Sequence, residues 1–498
     1  MDTQLRRLPA ELEELRVEIR GYAREYGLDF FEVLFEMVDY DEMNMIAAYG
    51  GFPTRYPHWR FGMQYEELQK SYSYGLSKIY ELVINNDPCY AYLMRCNPIV
   101  DQKLVMAHVY GHSDFFKNNA WFARTHRKMV DEIANHATRI RRYYDRYGQD
   151  EVETFLDVCM SLENLIDVHA PYFGDRPSFD EEKLEAAEQA AQGAKFKAKP
   201  YMDSFVNPPV AMEKERQKRL ADLRKTQRFP SRPERDVLNF VLHNAPLKRW
   251  QRDILGIVRE EAYYFAPQMM TKIMNEGWAS YWHSKIMTTR ALDASEVIDY
   301  ADHHSGTMGM RPGTLNPYKV GLELFRDIEE RWNTGRFGPE FDSCDDYDAL
   351  KNWDRKLGKG RQKIFEVRRI YNDITFIDEY LTEDFCRAQK LFTYRYDRQS
   401  GQYVIDSRNF KEIKSKLLDS LANCGRPAIL LDDGNFKNRG ELHLTHEFTG
   451  VPLKLDYARA TMENLYKLWT RPVHLETHTE GKKKLLSFNG SRHEDKVL

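Results

Sequence analysis

The chain has 498 residues, 30% of them charged, with a formal net charge of −4, which is length enough for a large core and two or three domains. Its near-neutral balance offers no basic field for nucleic acid, and no apolar run approaches the roughly 18–20 residues of a membrane helix. The six cysteines are scattered with no C-x-x-C spacing, as expected of a reducing cytoplasm rather than a disulfide framework or a cysteine zinc finger.

The first thirty residues are rich in acids and have no apolar core segment, so they read as neither a secretory signal nor a transit peptide. Leu12, Leu15, Ile19 and Tyr22 recur at helical steps and predict an amphipathic helix over Pro9–Tyr26. A second helix is expected over Asp29–Met45, followed by an ordered, aromatic-rich loop from Tyr49 to Gly62. Glu66–Asn85 reads as helix and Cys89–Met94 as a short strand. Helices are then expected over Asp101–Phe122, Asp131–Asp145 and Glu151–His169. Residues 174–233 are charged and alanine-rich, with few large apolar residues at core spacing, and predict an exposed linker or excursion.

Order resumes at Asp236–Leu242. Helices follow over Leu247–Phe265, bent or restarted at Pro267, and over Met269–Met287. His303 and His304 close another helix, and Tyr318–Trp332 and Asp373–Cys386 are helical. Beyond Gln389 the pattern changes. Leu391–Tyr396 and Gln402–Asp406 predict a hairpin, Phe410–Leu421 a helix, Pro427–Leu431 and Glu441–Glu447 strands, Leu455–Trp469 a helix, and Val473–Thr477 with Lys484–Phe488 a second hairpin. The expected fold is α+β. A helical part over 1–173 is completed by 234–388 after the linker, and a small α+β domain spans 389–498.

Chemistry concentrates in two stretches. His108 and His112 stand four apart on one predicted helix, so both imidazoles share a face and can meet one ion. This is the ligand spacing of H-E-x-x-H, with Val109 where that motif carries its glutamate base. In the second stretch, Glu276, Ser280 and His283 share a helical face among Trp278, Tyr281 and Trp282. A carboxylate in such apolar surroundings needs a partner, and Glu276 is the expected third ligand.

The runs His108–Asn119 (HVYGHSDFFKNN), Arg259–Gln268 (REEAYYFAPQ), Met274–His283 (MNEGWASYWH) and Asn316–Gly321 (NPYKVG) resemble the stage V sporulation protein R (SpoVR-like) family over essentially the whole chain. The resemblance implies a cytoplasmic bacterial protein linked to spore cortex formation or stationary-phase stress, often encoded beside a serine protein kinase and a von Willebrand A-like protein. A looser similarity joins the two histidines and the downstream Glu-Gly-x-Ala to gluzincin-type metallopeptidases.

These readings lead to a zincin-like, zinc-dependent hydrolase of a peptide or peptidoglycan-type amide. His108, His112 and Glu276 would hold the ion, Glu260 or Glu261 would act as base, and His283 or Tyr281 would stabilise the oxyanion. Two alternatives stay open: a non-catalytic scaffold working with the kinase and the von Willebrand A-like partner, and a non-haem iron redox protein, since two histidines and a carboxylate also suit iron.

Overall fold

The computed structural model describes residues 6–73, 81–173, 213, 214, 217 and 228–498. The excursion expected over 174–233 therefore lies almost entirely outside the described residues. Packing divides the chain into two units, one drawn from Met1–Gln149 and Tyr263–Gly425 and the other from Asp150–Ala262 and Arg426–Leu498.

The first unit opens with α1 (Ala10–Glu25), β1 (Val33–Val38), α2 (Tyr40–Ala48), α3 (Trp59–Ser73), β2 (Glu81–Ile84), β3 (Cys89–Met94), α4 (Ile99–Asn118) and α5 (Met129–Tyr147). The strands form a sheet of order β1-β3-β2, with β1 parallel and β2 antiparallel to β3. This corrects two expectations. The segment read as one helix over Asp29–Met45 is a strand followed by a helix that Asp39 caps, its side chain accepting from Glu42 N. Val33, Phe35 and Met37 alternate into the core on that strand, a period of two that the neighbouring apolar residues mask. Similarly, Glu81–Ile84 is a strand rather than the end of a helix.

Helices α6 (Gln149–Ser161) and α7 (Val237–Asn244) belong to the second unit, and α8 (Arg249–Met270) runs from the second into the first. Pro267 lies inside α8, and the break falls at Thr271, after which α9 (Lys272–Ile286) begins. Helices α10 (Val297–Thr307), α11 (Pro317–Thr334), α12 (Gly360–Ile370), α13 (Asp373–Tyr380) and α14 (Glu383–Ala388) follow. The single helix expected over Asp373–Cys386 is thus two, because Thr382 caps a new start by accepting from Phe385 N. The hairpin β4 (Thr393–Asp397) and β5 (Gln402–Ser407), then α15 (Phe410–Leu421), complete this unit. At its centre α9 packs against both α4 and α11.

In the second unit β6 (Ile429–Phe436), β7 (Glu441–His446), β8 (Val473–Thr479), β9 (Lys482–Phe488) and β10 (His493–Val497) form a sheet of order β10-β9-β8-β7-β6. Strands β7 and β8 are parallel, so the chain crosses over between them, and α16 (Leu455–Trp469) makes the crossing. Its buried Met462, Leu465 and Leu468 are matched by buried Leu442, Leu444, Val473 and Leu475 on the sheet. The architecture is α+β, a large helical body with a terminal sheet. Among the described residues no helix is long and apolar enough to cross a membrane.

Candidate metal centre

Helices α4 and α9 are buried nearly all round, including His108, His112, Asn275, Ser280 and His283. Helices of this kind pack through small residues, and each small contact adjoins a residue of the centre. A Cβ on Gly111, next to His112, would sit 2.7 Å from Ala279 Cα. One on Gly277, next to Glu276, would sit 2.4 Å from Gly321 Cα on α11. Glycine at these positions lets the backbones approach closely enough to bring the functional side chains together. Two further contacts fix the arrangement. Asp373 accepts from the Ile273 and Met274 amides at 2.8 and 2.9 Å, capping α9. Asp114 accepts from Trp278 Nε1 at 2.7 Å and pairs with Arg368 at 3.3 Å, joining α4, α9 and α12.

Four side chains converge. His108 Nε2 lies 3.2 Å from Glu81 Oε1 and 3.6 Å from Glu276 Oε2. His112 Nε2 lies 3.7 Å from Glu81 Oε1 and 3.5 Å from Glu276 Oε2. The ligand atoms of Glu81, His108 and His112 all fall within 4.8 Å of one another. The two imidazoles are almost fully enclosed, at 4% and 5% exposure, while the Glu81 and Glu276 side chains keep 20% and 17%. Buried His108 Nε2, Glu81 Oε2 and Glu276 Oε2 have no hydrogen-bond partner among the described residues. Native interiors rarely leave so many polar atoms unmatched around one point.

The opposite edges of both imidazoles are held. His112 Nδ1 bonds Asn275 Oδ1 at 2.9 Å. An amide oxygen only accepts, so His112 Nδ1 carries the proton and Nε2 faces the carboxylates. His108 Nδ1 meets His283 Nδ1 at 2.7 Å, and His283 Nε2 meets His304 Nδ1 at 3.4 Å. Tyr318, near the start of α11, stacks 6.2 Å from His108.

Electrostatics follow from this crowding. Burial opposes a charge on His112, but Glu81 and Glu276 outweigh it and lift the imidazole to about 9. Burial works against ionisation of Glu276, yet the adjacent His108 and His112 imidazoles hold it below the usual carboxylate range. Burial, then His108, push His283 well below the ordinary imidazole value, and burial with Arg326 lowers His304, so both are neutral. Burial and the two carboxylates raise the Tyr318 phenol, which stays protonated.

The structure therefore brings together His108, His112 and Glu276, with His283 behind them. It gives Tyr281 and His283 partners of their own. Tyr281 donates to Glu329 Oε2 at 2.5 Å and accepts from Lys285 Nζ at 3.0 Å. Both nitrogens of His283 are engaged by other histidines, so neither is left to steady an oxyanion. Glu260 and Glu261 lie on α8, in the part of that helix assigned to the second unit. Sequence reasoning missed Glu81, Asn275 and Tyr318. Glu81 was hidden inside a segment read as helix, while Asn275 and Tyr318 lay within the motifs without an assigned role.

The family model described as SpoVR like protein matches residues 7–426, and that described as SpoVR-like C-terminal domain matches residues 427–480. The chain is also 31% identical over 493 residues to "Uncharacterized protein YcgB" of Escherichia coli (strain K12), covering 93% of this chain and 91% of that protein. No solved structure matches.

Proposed function

The chain belongs to the SpoVR family, and from that premise and the cluster's geometry we propose a metal-dependent hydrolase of an amide bond in a peptide or peptidoglycan-type substrate. The observation that carries the reading is the convergence of two imidazole Nε2 atoms and two carboxylates on one point that demands positive charge. Isolated carboxylates in such burial cost several kcal/mol each, and a divalent ion held by three of the four groups offsets that charge. His108, His112 and Glu276 are the ligands, an N2O donor set that suits zinc and also iron.

A bound ion would lower the pKa of a water and polarise a carbonyl. The chain supplies the rest. Val109 occupies the motif's base position and is fully buried in the apolar core, so the base comes from another element. Glu81, on β2, takes the water's proton at its unpartnered Oε2 and passes it to the leaving amine. Tyr318 keeps its proton and donates it as a hydrogen bond to the oxygen on which charge develops. Asn275 and His283 hold the histidine rings in orientation.

The test pairs two conservative variants on zinc-loaded protein, assayed for amine release from peptides and muropeptides. Glu81→Gln keeps zinc and lowers turnover at least ~100-fold, the usual worth of a general base. Glu276→Gln loses zinc itself. Turnover unchanged in Glu81→Gln, or no amine released by zinc-loaded wild type across both substrate classes, contradicts the hydrolase reading.

A further inference from the structure

Neither His283 nor His304 transfers a proton or holds the ion in the hydrolytic step, yet they extend the centre in a line. The spacing runs from His108 Nδ1 to His283 Nδ1 at 2.7 Å and from His283 Nε2 to His304 Nδ1 at 3.4 Å. His108 and His283 are buried, and His304 is half-exposed on α10 with its ring stacked on Tyr300 at 5.5 Å. A neutral imidazole has one donor and one acceptor nitrogen. Each link therefore dictates the next, and the chain has only two polarities.

In the inward polarity His304 Nδ1–H donates to His283 Nε2 and His283 Nδ1–H donates to His108 Nδ1. The proton of His108 is then on Nε2, against Glu81. In the outward polarity every donor and acceptor is exchanged, and His108 Nε2 presents a lone pair. Conversion balances. His108 Nε2 releases one proton to water, the two bridging protons each cross one hydrogen bond, and His304 Nε2 takes one proton from solvent. Three imidazoles carry three protons before and after. A metal ligand must offer a lone pair, so occupancy of the centre selects the outward polarity.

We propose that His283 and His304 are positioning residues that set the tautomer of His108, and that the polarity of their chain carries the metal occupancy of the centre to the half-exposed His304. This rests on the metal reading above and adds a relay that the reading does not require.

The test uses full-length protein labelled with 15N at histidine, titrated with zinc. In wild type the protonated nitrogen of His304 moves from Nδ1 to Nε2 as zinc binds. His283→Leu removes the support of His108 and weakens zinc binding about 10–100-fold, the usual effect of losing such a partner. His283→Asn retains an amide that bonds His108 Nδ1, so affinity stays within a few-fold, but His304 no longer responds. Wild type that binds zinc while His304 keeps its tautomer overturns this inference and leaves the metal centre standing. So does zinc affinity unchanged in His283→Leu. Wild type that binds no zinc overturns both. Should His283→Leu fail to fold, the His304 response in wild type and its loss in His283→Asn decide the matter.

Discussion

The geometry of the centre depends on how closely α9 approaches α11, and Gly277→Ala perturbs that approach by one methyl group. The added Cβ would lie 2.4 Å from both C and Cα of Gly321 and 2.8 Å from Leu322 N. Carbon atoms settle at about 3.5–4.0 Å, so the helices must part locally by about 1 Å. The obstacle is backbone on both sides, so no side-chain rotation relieves it. Overpacking of this kind costs about 1–3 kcal/mol, offset in part by the roughly 1 kcal/mol that alanine gains over glycine within a helix.

The larger effect falls on Glu276, the adjoining residue. Metal ligands tolerate displacements of about 0.2 Å, and a shift of about 1 Å exceeds that several-fold. Urea unfolding in chelator measures the packing cost alone, and chelator competition measures zinc affinity. The expected result is a modest loss of stability with a loss of zinc affinity of at least ~10-fold. Gly21→Ala serves as control, because a Cβ there meets nothing within 4 Å, and it leaves zinc affinity untouched. Zinc affinity in Gly277→Ala equal to wild type would refute the argument that this contact positions the carboxylate.

Two further predictions concern the supports of α9. Asp114 is fully buried and pairs with Arg368, itself 7% exposed. Asp114→Ala strands that guanidinium and lowers stability by about 3–5 kcal/mol, read from denaturant midpoints; a loss under about 1 kcal/mol counts against the pair as a staple. Burial pushes the Asp373 carboxyl up to about 7, against the pull of the backbone amides it caps. A folded-state value above the ordinary carboxyl value of 3.8 means that the native state holds the proton longer, so this group's contribution to stability falls as pH rises from 3.8 through about 7. Asp373→Asn cannot ionise and gains on wild type across that window in thermal melts, whereas a variant that loses ground there shows that the amide bonds to the charged carboxylate outweigh its burial.

The sequence carried much of the centre and less of its surroundings. His108 and His112 were legible because helical spacing alone puts them on one face, and Glu276 because a carboxylate among Trp278 and Trp282 implies a partner. Glu81 was not legible. It begins a four-residue strand, and a short apolar run such as Glu81–Ile84 reads equally as the end of a helix. Its approach to the histidines depends on the pairing of β2 with β3, a tertiary fact. The glycines beside the functional residues were visible as letters, but the backbone each must touch lies on another helix. Tyr281 shows the converse limit: a phenol close to Glu276 in sequence turns to Glu329, because neighbours on a helix point in different directions.

The central claim is that His108, His112 and Glu276 hold a metal ion, and elemental analysis of the purified protein tests it most directly. The account predicts about one zinc or iron per chain in wild type, and none above background in the His108→Ala/His112→Ala variant with its helical content preserved. Wild type without stoichiometric metal, or a double variant whose metal content is unchanged, would contradict it.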